Sequence, residues 1–182
     1  MLPDISNRIT NIIKAIEKTI SPAIDAENRM AQEQAALAIG HLQMLEQQWN
    51  YAYVFEKGSF ENMLALANQL YDVAGGGQAI TNAKNALLII IKGLPEVLPL
   101  TPVELNEHTK ALGQLVDDLI HASYDDAFPD AKHKIMDAVL NYSSKQSSRE
   151  RVWFSANNLD PDGSDLVSMH EMLFTPVYKY SA

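Results

Sequence analysis

Thr101-Pro-Val-Glu-Leu-Asn-Glu-His-Thr-Lys-Ala-Leu-Gly-Gln-Leu-Val-Asp-Asp-Leu-Ile-His-Ala122 decides the fold class. Its first four residues form a Thr-x-x-Glu capping box with proline at the first helical position, a strong helix start. Leu105, His108, Leu112, Leu115, Leu119 and Ala122 then recur at alternating steps of three and four. That spacing lays one apolar stripe along a helix and leaves the charged residues on the other face.

The same pattern extends in both directions. Ile5, Ile9, Ile12, Ile16 and Ile20 predict a first helix with an apolar stripe. Ser21-Pro22 reads as a cap and start for a second helix reaching about Lys57, with a seam of Ala31, Ala35, Ala38, Leu42, Leu45, Trp49 and Ala52. Trp49, Tyr51, Tyr53 and Phe55 also alternate as a strand would, but a lone strand has no partner here, so helix is expected. Lys57-Gly58-Ser59 is expected to end that helix and cap a third, Phe60 to about Lys92. Gly75-Gly76-Gly77 interrupts it; three glycines cost about 3 kcal/mol against alanine, enough for a break or kink. Pro95 and Pro99 keep the next stretch non-helical, and Pro129 opens a further helix carrying Ile135, Met136, Val139, Leu140 and Tyr142. Beyond Ser155 the chain turns polar, with a short helix expected at about 164–174 and an aromatic tail containing Tyr178 and Tyr180. The predicted architecture is all-α: an up-and-down helical bundle of four to five helices. It is read as a single domain over 1–182, with the bundle at 1–155 and a short C-terminal extension at 156–182.

Composition narrows the chemistry. The absence of cysteine among 182 residues removes disulfides, thiolate nucleophiles and cysteine-based metal sites. A net charge of -9 repels phosphate backbones, and Lys145, Arg149 and Arg151, interrupted by Glu150, are too small a basic cluster to reverse that. No nucleic-acid partner is expected. Residues 104–137 are the most acidic region, which suits a solvated face, a cation site or a basic partner. The longest apolar run, Ala86–Ile91, is far too short for a membrane span, and no secretory signal is visible, so a cytoplasmic location is expected.

Ile20 to Trp49, ISPAIDAENRMAQEQAALAIGHLQMLEQQW, resembles the start of uncharacterised bacterial helical-bundle domains. Some of those are encoded beside acyl-CoA dehydrogenases or carried by phosphotransferase-like proteins. The shared elements are Pro22, Asp25, Arg29 and the leucine-rich turns ending at Trp49. The resemblance implies a bacterial helical bundle and brings no catalytic motif with it.

Asp118/His121 and Asp130/His133 each form Asp-x-x-His, which puts an oxygen and an imidazole on one helix face. Two such units across a turn are the candidate ligands for a divalent metal, although capping also enriches aspartate near turns. His108 lies on the apolar stripe with Glu104 four residues before it, as a buried base or a hydrogen-bonded core histidine would. Asn158-x-Asp160-x-Asp162-Gly163 matches the opening of a calcium loop, but the glutamate that would complete it, Glu171, comes two residues late. Trp49, Tyr53, Tyr71 and His108 are candidates to line a ligand pocket, against an ordinary role in the core.

These features favour a non-enzymatic interaction or assembly protein that binds a protein partner or forms a homo-oligomer. One alternative is a bundle holding a small apolar or acyl ligand; another is a carboxylate–histidine metal enzyme. No cofactor is expected on the leading reading, and a divalent metal only on the last.

Overall fold

The computed structural model describes residues 4–157 and 160–174. The chain is all-α, with a short C-terminal extension. Its helices are α1 (Ile5–Ala15), α2 (Arg29–Gln48), α3 (Ala52–Val73), α4 (Gln78–Gly93), α5 (Pro102–Asp126), α6 (Pro129–Trp153) and α7 (Met169–Phe174). Among the described residues, β-type pairing is limited to one isolated bridge, Gly76 with Ala127. No described helix is long and apolar enough to cross a membrane. Contacts divide the chain into two compact units, residues 1–52 with 150–182, and residues 53–149.

In the central unit α5 starts where its capping box places it. Thr101 Oγ1 accepts the Glu104 amide at 3.3 Å and donates to Glu104 Oε2 at 2.7 Å, so the carboxylate closes on the hydroxyl. The stripe holds with a small rotation: Leu105, Leu112, Val116, Leu119 and Ser123 are buried, while His108, Leu115 and Ala122 are half-buried. Facing them are Phe60, Leu66 and Leu70 of α3, Ile80 and Leu87 of α4, and Ile135 and Ala138 of α6. The Gly76–Ala127 bridge sets the α3–α4 turn beside the α5–α6 turn. At the opposite end, the Tyr53 hydroxyl donates to the Pro99 carbonyl at 3.0 Å and Arg149 reaches the Phe55 carbonyl at 3.1 Å. Successive helices therefore run up and down.

The unit of residues 1–52 and 150–182 is built on α1 and α2. The Trp49 indole donates to Ser6 Oγ at 3.2 Å and Thr10 Oγ1 to Glu46 Oε1 at 2.7 Å, which makes the pair antiparallel. Ile9 and Ile13 are the buried residues of α1, so the expected isoleucine stripe is corrected: Ile5, Ile12 and Ile20 lie on its exposed flank.

Several boundaries differ from expectation. Ser21-Pro22 starts no new helix; α1 continues through a π-turn, Ile16–Ile20, into Ser21–Ala23. The wider turn precedes Pro22, whose ring would meet a carbonyl four residues back in a regular helix. The next start is Asn28, whose Oδ1 accepts the Ala31 amide at 3.2 Å. The long second helix ends at Gln48, where Gln48 Nε2 donates to the Trp153 carbonyl at 2.8 Å. It restarts at Ala52 and runs straight through Gly58. Gly75–Gly77 is a full break. The short C-terminal helix is a 3-10 turn, Gly163–Asp165, followed by α7, which Ser168 caps by accepting the Glu171 amide at 3.1 Å. Tyr178 and Tyr180 lie outside the described residues.

Candidate functional site

The four residues proposed to line a pocket are each engaged locally. Trp49 belongs to the unit of residues 1–52 and 150–182, and its indole is bonded to Ser6. Tyr53 is held by Pro99, and Tyr71 lies under the Lys84 ammonium, 5.0 Å from its ring centroid. Half-buried His108 stands 6.2 Å from the Phe60 ring at a 60° tilt, the setting of a core histidine.

The Asp-x-x-His units sit at the surface. Asp118 accepts from Gln114 Nε2 at 3.3 Å, and the His121 ring tilts toward Tyr124 at 6.2 Å. Asp130 is exposed in the first turn of α6, and His133 Nδ1 lies 3.0 Å from the Pro129 carbonyl, one turn back. His133 and Lys132 border an open hollow of about 320 Å³ with Ala127, Pro129 and Met136. Among the described residues, no three histidine or carboxylate side chains gather as an ion's ligands.

In the expected calcium loop, Asn158 lies outside the described residues and Asp160 is engaged by arginine. Arg151 donates from Nε to Asp160 Oδ2 at 2.7 Å and from Nη2 to Oδ1 at 3.0 Å, a bidentate fork. Asp160 Oδ1 also accepts the Asp162 amide at 3.0 Å. The hydrogen bonds from Arg151 hold the Asp160 carboxyl below its ordinary value, and the same bonds raise Arg151.

Two glycine sites were not legible as sites. At the α3–α4 break, the Gly77 amide donates to the Asp126 carbonyl at 3.0 Å and the Phe128 amide to the Gly75 carbonyl at 2.9 Å. The Asp126 carboxylate accepts the Ile80 amide at 3.0 Å and so caps α4 from another helix. A Cβ on Gly76 would overlap the Asp126 carbonyl oxygen, and one on Gly77 the Asp126 carboxylate. The triplet thus permits a close backbone approach.

The second site is Gly58. The Arg149 guanidinium lies across it, so that a Cβ there would come within 2.5 Å of Nη2. Arg149 also stands over the Phe55 ring at 5.2 Å, and its buried Nε has no hydrogen-bond partner among the described residues. Burial pulls the Arg149 guanidinium below the usual arginine value, partly offset by Glu61. Both glycine sites are packing solutions.

The exposed surface also carries large apolar side chains. In the central unit Ile89, Val97, Leu100 and Val103 are exposed around the α4–α5 connection. On α2 none of the twenty residues is fully buried, while Met30 and Leu37 are 74% and 55% exposed. No family model, curated protein or solved structure matches this chain.

Proposed function

We propose that this chain is a non-enzymatic interaction protein of the cytoplasm that presents an apolar helical face to a protein partner or to another copy of itself. The observation that carries the reading is the exposed side of the α1–α2 pair. Monomeric soluble proteins keep large contiguous apolar patches small unless the patches are used. Two of the polar groups that might have suggested an ion site are engaged, Asp160 by Arg151 and His133 by the Pro129 carbonyl.

The test compares the intact chain with Leu37→Glu, which places a charge on the exposed face without touching the core. Affinity capture and sedimentation should both register association for the parent chain and its loss in the variant. A parent chain that is monomeric, and whose captured proteins are unchanged by the substitution, would remove the reading.

A further inference from the structure

Ile5, Ile12 and Ile20 of the α1 segment are each about half exposed, at 46%, 49% and 52%. On α2, Leu45 is 47% exposed beside the more open Met30 and Leu37. The packing of α1 on α2 decides whether these side chains form one face. At about 100° per residue, Ile5 and Ile12 sit on one flank of the line through Ile9 and Ile13 that points at α2. The π-turn keeps Ile20 on that flank by slowing the rotation. Met30, Leu37 and Leu45 are displaced in the same rotational sense from the line through the half-buried Ala35, Ala38 and Leu42. Because the helices are antiparallel, equal senses of rotation bring both stripes to the same side. Thr10 and Glu46 are displaced in the opposite sense on their own helices, and they meet each other at 2.7 Å, as this geometry requires. The six side chains form one face of a two-helix layer, with the other side marked by the Thr10–Glu46 bond.

The geometry points to a second copy of this chain as the occupant of that face, two α1–α2 pairs closing into a four-helix arrangement about a two-fold axis. The inference rests on the interaction reading above and names its partner. Charge is the first argument. Residues 5–48 carry Arg8, Lys14, Lys18 and Arg29 against Glu17, Asp25, Glu27, Glu33 and Glu46, a net -1 in a chain of net -9. This is where a strongly acidic molecule meets its own copy with little repulsion. A two-fold axis parallel to the helices lays α1 of each copy over α2 of the other. Area is the second argument. The six residues leave on the order of 600 Å² per copy, the upper end of what a monomer exposes. Two copies face to face would cover about 1,200 Å², where specific interfaces begin. A helical hairpin with one apolar side open is half of a bundle, and self-pairing completes it.

The experiment is light scattering and sedimentation of the full chain up to about 100 μM, a range that registers micromolar self-association. Expected is twice the 20.2 kDa chain mass. Leu37→Glu and Ile12→Glu should each weaken the dimer by about 100-fold, since each substitution buries two unpaired charges, while helical circular dichroism stays unchanged. Val97→Glu, on exposed apolar surface of the central unit, should leave the mass at the dimer value. A monomeric parent chain overturns the inference, and so does a dimer that survives both face substitutions. A monomer whose partner capture is abolished by Leu37→Glu overturns the dimer and leaves the interaction reading standing. A monomer whose capture ignores Leu37→Glu removes both.

Discussion

The central unit and the unit built on α1 and α2 use the same kind of helix to opposite ends. Among the described residues, the central unit holds sixteen of the twenty buried apolar side chains, with Leu70, Leu87, Leu105, Leu112 and Leu119 fully enclosed. The other unit holds four, Ile9, Ile13, Val152 and Trp153. Stability follows buried apolar area, so the first is dominated by its own core and the second by polar ties and partly covered alanines. A helix whose apolar width exceeds what its neighbours cover keeps a face for another molecule. Comparable periodicity in sequence thus leads to a core in one place and to an exposed surface in the other.

The comparison breaks first at large-to-small substitutions. Leu112→Ala should lower unfolding free energy by about 3 kcal/mol, and half-buried Leu42→Ala on α2 by about 1 kcal/mol, in urea titrations. Equal losses would erase the distinction between the units. Glycine substitutions come next. Gly76→Ala drives a Cβ into backbone of Asp126 and Ala127 and should destabilise by about 2 kcal/mol. Gly40→Ala on α2 meets nothing within 4 Å, so thermal unfolding should show a gain of up to about 1 kcal/mol from helix propensity.

Asp126→Ala removes the acceptor for the Ile80 amide and should cost about 1 kcal/mol, with faster amide exchange at the start of α4. Gly58→Ala should give little net change alone, because improved helix propensity opposes displacement of Arg149. In an Arg149→Ala background the same substitution should stabilise, by about 1 kcal/mol more than in the parent chain. The smallest effect is pH-dependent. The Asp160 carboxyl is depressed in the folded state, so its contribution is present above the ordinary aspartate range and is lost as pH falls through the folded value. Asp160→Asn should flatten the acid limb of the stability profile slightly, and nuclear magnetic resonance should place the Asp160 titration below that of a free aspartate.

Legibility in the sequence followed how local each signal is. Thr101-Pro102-Val103-Glu104 located the start of α5, because a cap needs only neighbouring residues. Pro129 marked α6 for the same reason. Gly58 misled, because glycine in a helix signals a stop unless another side chain requires the space, and Arg149 is ninety-one positions away. The isoleucine stripe was correctly helical, yet of its five members only Ile9 is buried, because periodicity specifies an apolar flank without naming what covers it. The histidine and aspartate pairs were readable as spacing alone, and their surroundings depend on which helix faces they occupy.

Residue order determined the helices, most of their caps, the interruption at Gly75–Gly77 and the charge balance, all set by interactions within a few positions. Packing decided that Asp126 caps α4, that Gly58 accommodates Arg149 and that Asp160 is held by Arg151. It also turned Ile12, Met30 and Leu37 toward open space. Those outcomes depend on distances between residues far apart in the chain, which come into being only when the helices choose their neighbours.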